Sequence, residues 1–533
     1  MIERTLVLPH RIAALASERP QGAAISDVDG RSVSWSELHA ETMRWAGAFQ
    51  RVGVTRADTV VTMLPNSFEA YYAWLGLGWL EAIEVPANNM YRGHMLQYLL
   101  EDSEAELLVI SQRYVDRLES VAGALSHLKT VVVFDTDGAE PPNLPFHVIT
   151  GEELLDGAAL VDEPRGPSYY DVGAMIYTSG TTGPSKGVLV PWGELIQSAL
   201  ILPESFVDKG EAYYSIYPVF HLSGKCGLYI STHHEAHLVI REQLSITQYW
   251  DDIRRFDVRS AGLVGPIASM LLAMPPADDD ADNPLDKIAM GPVIPEIDEF
   301  MRRFGIGNIT TGYGMTEIGF PIGAPWNPPN PHTCGRRREG APHYEVKVVD
   351  EHDEEVPVGT VGELIVRARD PWVMNSGYWK LPAKTAESWR NGWFHTGDGF
   401  MEDEDGWFYF VDRLSDALRH RGENVSSFEV EAGILEHPAV GEVAVVGVPS
   451  ELGEDDVKAF IVCKPDTTLE PHELIDFLAP RMPKFMIPRY IELIDALPRT
   501  DATLRVRKVE LRGQVAGEAT WDRVAAGHAI PDV

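Results

Sequence analysis

Eleven consecutive residues, Tyr177-Thr178-Ser179-Gly180-Thr181-Thr182-Gly183-Pro184-Ser185-Lys186-Gly187, combine three glycines, five aliphatic hydroxyls and one lysine. They directly follow the short apolar run Ala174-Met175-Ile176. Glycine lets a backbone turn sharply and approach a ligand, and exposed amides with hydroxyls hydrogen-bond phosphate oxygens. The chemistry on offer is phosphate binding. A Walker loop is excluded, because it needs GxxxxGK followed by Ser or Thr, whereas Ser185 precedes this lysine and Gly187 follows it. A flexible Gly/Ser/Thr linker is the competing reading of the composition alone.

Two other stretches carry groups of the same kind. Thr311-Gly312-Tyr313-Gly314-Met315-Thr316-Glu317 presents an aromatic face, a hydroxyl and a carboxylate within one glycine-rich turn. An aromatic stacks on adenine, a threonine bonds a phosphate oxygen, and a glutamate holds Mg²⁺ through oxygen. Gly392-Trp393-Phe394-His395-Thr396-Gly397-Asp398 sets a carboxylate on a glycine turn, a geometry suited to bidentate bonding of ribose hydroxyls. Tyr217-Pro218-Val219-Phe220-His221 places a histidine beside an apolar run, where packing in the core is the competing role.

The elements around these stretches predict an α/β protein. Residues 8–19 have apolar positions at helical spacing, Asp29-Gly30 signals a hairpin within Ala24–Ser34, and Ser34-Trp35-Ser36-Glu37 is a capping box. Thr59–Leu64, Ile83–Pro86, Glu106–Ile110 and Thr130–Phe134 read as buried strands, with a helix at 68–81, which implies parallel βαβ units with helices on both faces. Residues 136–170, rich in Asp, Pro and Gly, read as a surface connection, and the βα rhythm resumes after 187 as far as about 320. Short β-rich runs over 331–412 predict a small β subdomain, and 413–533 a compact α+β tail. The expected architecture is a large N-terminal domain (1–412) of two doubly wound sheets plus that β subdomain, followed by a smaller mobile C-terminal domain (413–533).

Composition bounds the function. At 533 residues, about 150 per domain gives three to four packed units. The formal charge of −35 argues against nucleic acid or an anionic membrane as partner, and it requires a locally basic site for any anionic ligand. Cys226, Cys334 and Cys463 are odd in number and widely spaced, so they form neither a disulfide framework nor a metal cluster, as expected in a reducing cytosol. The longest strongly apolar stretch, Tyr71–Leu80, is too short to span a bilayer. A cytoplasmic protein with no membrane association is expected.

Together these stretches resemble the signatures of the adenylate-forming superfamily of acyl-CoA ligases, stand-alone adenylation domains and luciferases, and the likeness covers nearly the whole chain. The resemblance implies phosphate binding by Thr178, Ser179, Gly180, Thr181, Thr182 and Lys186. It puts Tyr313 on adenine with Gly312 and Gly314, Thr316 on phosphate, Glu317 on Mg²⁺, and Asp398 and Arg413 on ribose. Gly291-Pro292 would line the adenine and acyl pocket, with His221 beside the acyl carboxylate. Arg419-His420-Arg421-Gly422-Glu423-Asn424-Val425-Ser426, followed by Glu429 and Glu431, resembles the loop lining the pantetheine tunnel, with Gly422 against the thiol arm. Arg419 and Arg421 would meet CoA phosphates, or else form a solvated helix end. Small residues at Gly262, Gly265, Gly312 and Gly314 suggest room for a bulky acyl group.

Two features depart from that pattern. The superfamily closes with a loop resembling PRTPTGK, whose lysine reaches the carboxylate and α-phosphate during adenylation. Here the chain reads Leu497-Pro498-Arg499-Thr500-Asp501-Ala502-Thr503-Leu504-Arg505-Val506-Arg507-Lys508, and the lysine position falls on Leu504 or Arg505. Losing such a donor costs roughly two to three orders of magnitude in rate, and the planar guanidinium of Arg505 is no simple replacement for an ammonium. Lys508 lies three or four residues too late. At the hinge, two residues after Arg413, Ser415 stands where the superfamily usually has Asp or Lys, with Asp416 next, an alteration that a small polar residue can absorb. The expected activity is an acyl-CoA ligase that joins the acyl-adenylate of a hydrophobic carboxylic acid to CoA with release of AMP, its own ATP-dependent adenylation being weak or absent. In that case a separate adenylating enzyme supplies the substrate. A complete two-step ligase using Arg505 or Lys508, and an adenylation enzyme loading a carrier protein, are the alternatives.

Overall fold

The structure, a computed structural model, describes residues 3–530 except 137, 139–141, 161–163, 179–184, 295, 339–343, 414–416, 421–422, 451–452, 499–505, 507, 513–516 and 518. Side chains at 266, 412, 413, 417, 419, 424, 426, 428, 509 and 510 are likewise outside the description. The chain divides into two compact units. The first is Met1–Asn89, Leu99–Tyr177 and Gly187–Asp412; the second is Met90–Tyr98, Thr178–Lys186 and Arg413–Val533.

Two seven-stranded sheets dominate the first unit. One runs His147–Thr150, Thr130–Phe134, Leu107–Ser111, Thr59–Met63, Ile83–Pro86, Val172–Thr178, Lys186–Pro191. The other runs Asn308–Thr310, Lys287–Met290, Val258–Leu263, Ala212–Ser215, His237–Ile240, Ala23–Asp27, Ser32–Ser34. Strand order reverses at Thr59–Met63, which pairs in parallel with Ile83–Pro86 on one side and Leu107–Ser111 on the other. It reverses again at Ala212–Ser215, flanked in parallel by His237–Ile240 and Val258–Leu263. Parallel strands are covered on both faces and read as continuous apolar runs, as in the fully buried Leu107-Leu108-Val109-Ile110-Ser111.

Helix Phe68–Trp79 explains the longest apolar stretch: every residue but Glu69 is buried. It is packed in a core with Val60 and Val109 of one sheet and Leu238 and Ile240 of the other. No helix among the described residues is long and apolar enough to cross a membrane. Trp74 stacks on Trp192 with ring centroids 5.2 Å apart. The same region buries a charge pair, in which Lys225 Nζ donates to Glu84, Thr62 Oγ1 donates to Glu84 Oε1 at 2.8 Å, and the ammonium lies 4.2 Å from the Trp74 ring. Burial pushes Glu84 up and Lys225 down from their ordinary pKa values, and each partner offsets that for the other.

A third sheet, largely antiparallel, runs Gly312–Met315, Gly319–Gly323, Gly335–Arg337, Trp407–Arg413, Phe394–Glu402, Val361–Ala368, Tyr344–Val349. In the second unit, Val440–Pro449, Asp455–Cys463, Tyr490–Leu493 and Thr520–Asp522 form a four-stranded sheet. Helices Ser427–Leu435 and Pro471–Leu478 bury Val430, Ile434, Leu474 and Ile475 in its core, and Met90 and Met95 pack against that core.

Local signals held where short-range bonds enforce them. Glu37 N–H donates to Ser34 Oγ at 3.3 Å and Ser34 N–H to Glu37 Oε2 at 2.8 Å, closing the capping box of helix Trp35–Arg51. The Asp29-Gly30 hairpin forms, with Asp27 Oδ1 accepting from the amides of residues 29, 30 and 31. Residues 136–170 depart from the expected connection. They contain strand His147–Thr150 and capped helix Gly151–Leu155, because parallel pairing of Thr130 with His147 and Val132 with Ile149 supplies a ladder that composition does not announce.

Removing one member of a buried ion pair leaves the other uncompensated, at about 3–5 kcal/mol, while replacing both with apolar groups is often neutral. Lys225→Met should therefore destabilise the first unit by about that amount, and Lys225→Met with Glu84→Leu should recover most of it. Urea unfolding followed by tryptophan fluorescence makes the comparison, and equal losses in the single and double variants would contradict it.

Candidate active site

Four adjacent parallel strands, Ala212–Ser215, Val258–Leu263, Lys287–Met290 and Asn308–Thr310, end on the same edge of their sheet. The segments leaving those ends carry Tyr217–His221, Gly265 at the start of helix Gly265–Leu272, Gly291-Pro292, and Gly312–Glu317, whose first four residues form a strand of the third sheet. Crevices at the carboxyl ends of such strands, next to a reversal of strand order, are where open α/β sheets bind ligands.

Gly291 N–H donates to Leu263 O, and a Cβ on Gly291 would stand 3.6 Å from Gly312 O. The Gly291–Pro292 bond is cis. A Cβ on Gly265 would approach Pro292 O to 2.9 Å, and one on Gly262 would lie 3.0 Å from the Tyr217 ring and 3.1 Å from the Tyr213 hydroxyl. These contacts bring the predicted pocket segments together, and they also correct one expectation. The glycines do not open room for a bulky group: Tyr213 and Tyr217 fill the space at Gly262, Ile322 O and Ile201 crowd Gly312, and Gly319 O with Phe320 crowds Gly314. They permit close approach of neighbouring segments. His221, four residues beyond Tyr217, caps helix Leu222–His233, with its ring 4.7 Å from that of Phe220.

Tyr313 and Asp398 lie in the third sheet, and Tyr313 Oη donates to Asp398 Oδ2 at 2.6 Å. The tyrosine ring stands edge-on to Phe400 at 4.7 Å, and Asp398 is buried. Gly397 has φ +72, a left-handed conformation that favours glycine and turns Asp398. Glu363 holds that turn. Its Oε1 accepts Gly397 N–H at 3.0 Å, and Oε2 lies 3.0 Å from His395 Nδ1. Burial alone would raise the Glu363 carboxyl, but the His395 and Gly397 bonds hold it below the usual carboxylate range. No local sequence signal marks Glu363, because its partners lie on a neighbouring strand.

Glu317 is buried and accepts from Tyr378 Oη at 3.2 Å, while its backbone oxygen accepts the amide and side-chain N–H groups of Asn375. Thr316 is half-buried beside it. Among the described residues no group of three or more His, Cys, Asp or Glu is arranged to hold a metal ion. Glu317 could contribute one carboxylate oxygen to a hard cation such as Mg²⁺. A second carboxyl, Glu194, was missed at the sequence level, although a glutamate within Trp192-Gly193-Glu194-Leu195-Ile196 is a visible signal. It is 1% exposed, and neither carboxyl oxygen has a side-chain hydrogen-bond partner among the described residues. Burial, then the charge of Glu317, pushes its pKa well above the ordinary value, offset in part by the Gly319 amide.

In the second unit, Thr178 is half-buried, Lys186 opens strand Lys186–Pro191, and Ser185 is buried. Glu429 Oε1 accepts Ser185 N–H at 3.0 Å and the Ser185 hydroxyl as well. Lys508 Nζ lies 2.6 Å from Glu431 Oε1 and donates to Ser427 Oγ at 2.7 Å. Its ammonium thus ties helix Lys508–Arg512 to helix Ser427–Leu435. Ser179, Gly180, Thr181, Thr182, Arg421, Gly422, Ser415, Asp416, Leu504 and Arg505 lie outside the described residues, as do the side chains of Arg413 and Arg419.

A carboxyl whose folded pKa is raised contributes stability below its ordinary value of 4.5 that is lost as pH rises through the raised value. Glu194→Gln should therefore raise the melting temperature by roughly 1–4 °C at pH 8 and change it little at pH 5. A pH series of melting curves tests this, and a pH-independent shift would show that Glu194 is not the group responsible.

Comparison with known proteins places this geometry. The chain is 29% identical over 489 residues to a crotonobetaine/carnitine–CoA ligase of Shigella dysenteriae, covering 89% of this chain and 92% of that one. Its fold superposes with TM-score 0.79 on an o-succinylbenzoate CoA synthetase (MenE) double mutant from Bacillus subtilis bound to the product analogue OSB-NCoA (24% identity, 95% and 98% covered). It superposes with TM-score 0.79 on the amide bond synthetase McbA from Marinactinospora thermotolerans (22% identity, 96% and 100% covered). At those identities the two structures establish the fold. Residues 12–379, well over half the chain, match the AMP-binding enzyme family and residues 429–503 its C-terminal domain, so the protein belongs to the AMP-binding enzyme family.

Proposed function

We propose that the protein is an acyl-CoA ligase that forms a CoA thioester from the acyl-adenylate of a hydrophobic carboxylic acid, with its own ATP-dependent adenylation weak or absent. In that step the CoA thiolate attacks the acyl carbonyl carbon. The C–S bond forms, the C–O bond to AMP breaks, and AMP leaves with the electron pair. Asp398 would hold the ribose with Arg413, Tyr313 would lie against adenine, and Tyr213 and Tyr217 would give the acyl group apolar walls. Mg²⁺ at Glu317, when bound, neutralises phosphate charge. The CoA ligase named among the relatives and the CoA product analogue bound to MenE support a thiol acceptor.

The observation carrying the reading is the C-terminal loop. Its lysine position falls on Leu504 or Arg505, and the nearest lysine, Lys508, is engaged by Glu431 and Ser427. A complete two-step ligase, with Arg505 serving adenylation, is the second reading. It is favoured by retention of Glu317, since a Mg²⁺ ligand serves the phosphates of ATP more than a preformed adenylate.

ATP–pyrophosphate exchange with candidate acids, followed by thioester formation from chemically supplied acyl-adenylate, separates the two. The proposal expects thioester at ordinary ligase rates with exchange lower by about two to three orders of magnitude, and exchange restored by Leu504→Lys or Arg505→Lys. Robust wild-type exchange selects the two-step ligase. Failure to make thioester from supplied adenylate rules out a CoA ligase, and activity only with a carrier protein selects a carrier-loading enzyme.

A further inference from the structure

Strand Phe394–Glu402 slips out of register with Val361–Ala368 in the middle of their antiparallel pairing. Glu363 faces Gly399 and Ile365 faces His395, so Thr396-Gly397-Asp398 stand opposite the single residue Leu364. A bulge of this kind re-aims a side chain and leaves backbone donors without ladder partners. Here side chains take those donors. Glu363 Oε1 accepts Gly397 N–H at 3.0 Å, and Thr396 Oγ1 accepts Asp398 N–H at 3.1 Å while donating to Leu364 O at 2.7 Å. The Glu363 carboxylate is braced in turn. Its Oε2 lies 3.0 Å from His395 Nδ1 and 3.3 Å from Arg390 Nη2, and Arg390 also reaches Asp353 Oδ1 at 3.1 Å. All of these residues belong to the first unit. An ionised carboxylate is a stronger acceptor than the ladder carbonyl it replaces, and His395 and Arg390 fix where it stands.

We propose that Glu363 and Thr396 are positioning residues for ribose recognition: by bonding the two amides of the bulge they set the angle at which Asp398 presents its carboxylate to a nucleotide. This rests on reading Asp398 as the ribose ligand. One carboxylate accepts two vicinal hydroxyls only when both lone-pair directions are met together, so the angle matters more than the distance. Tyr313 holds Oδ2 from one side, and the bulge sets the backbone from which the carboxyl projects. Neither Glu363 nor Thr396 has to touch the nucleotide. What they control is the preference for a sugar that carries its 2′- and 3′-hydroxyls.

Affinities for AMP and for 2′,3′-dideoxy-AMP, measured by isothermal titration on the full chain, test the inference. The wild type should prefer AMP by roughly ten- to a hundredfold, the worth of hydrogen bonds to a charged group. Glu363→Ala and Thr396→Val should each remove most of that preference and leave dideoxy-AMP binding unchanged. Glu363→Gln, which keeps an oxygen for Gly397 N–H, should retain most of it. An unchanged preference for AMP in folded Glu363→Ala and Thr396→Val overturns the proposal. So does an equal loss of both affinities, the mark of a merely structural role. Should Glu363→Ala not fold, Thr396→Val, which removes one hydroxyl at nearly constant size, decides. Wild-type protein that binds the two nucleotides equally, with Asp398→Ala no different, instead overturns the reading of Asp398 as the ribose ligand, and the positioning role with it.

Discussion

Parallel strands cannot be joined by tight turns, and that constraint shapes the first unit. Each strand must be reached by a crossover, usually a helix, so both sheet faces are covered and strand interiors have no contact with ligand. Chemistry is left to the loops at the carboxyl ends. The segments that read as functional, Tyr217–His221, Gly291-Pro292 and Gly312–Glu317, all leave such ends beside the strand where the order reverses. The helices between the sheets must then be apolar on every side, as Phe68–Trp79 is, and a charge among them persists only with its partner, as Lys225 does with Glu84.

The antiparallel sheet answers a different need. A carboxylate proposed to bind ribose has to be held at a fixed angle, and Asp398 accepts from Tyr313 of one strand while Glu363 of another holds the glycine turn before it. Among the C-terminal helices, Lys508 serves as a tie between Lys508–Arg512 and Ser427–Leu435.

How much of this was legible in the sequence follows the range of the forces involved. The capping box at Ser34–Glu37, the Asp29-Gly30 hairpin and the buried strands depend on neighbours a few residues away, and they were readable. Strand His147–Thr150 was not, because only its pairing with Thr130–Phe134 makes it a strand. In the site, Tyr313, Glu317 and Asp398 announced themselves through glycine-rich motifs. Glu363, the buried Glu194 and the Ser185–Glu429 contact did not, since their partners come from distant parts of the chain. The glycines at Gly262 and Gly314 were legible as small but not as filled, because sequence gives the missing side chain and not what moves into its place.

The two ends of the phosphate-loop stretch are pinned in the first unit. Tyr177 Oη donates to Asp102 Oδ2 at 2.7 Å, and Gly187 O accepts Trp379 N–H at 2.7 Å, with Met175 and the Trp379 side chain crowding the missing Cβ of Gly187. The nine residues between them form a span whose closure is set by its ends. Lengthening that span by one residue costs only about a tenth of a kcal/mol in closure entropy, yet it changes the sequence spacing between Thr178 and Lys186. Changes in the length of this stretch are therefore nearly silent to the closure of the chain, and a screen for stability alone would pass them.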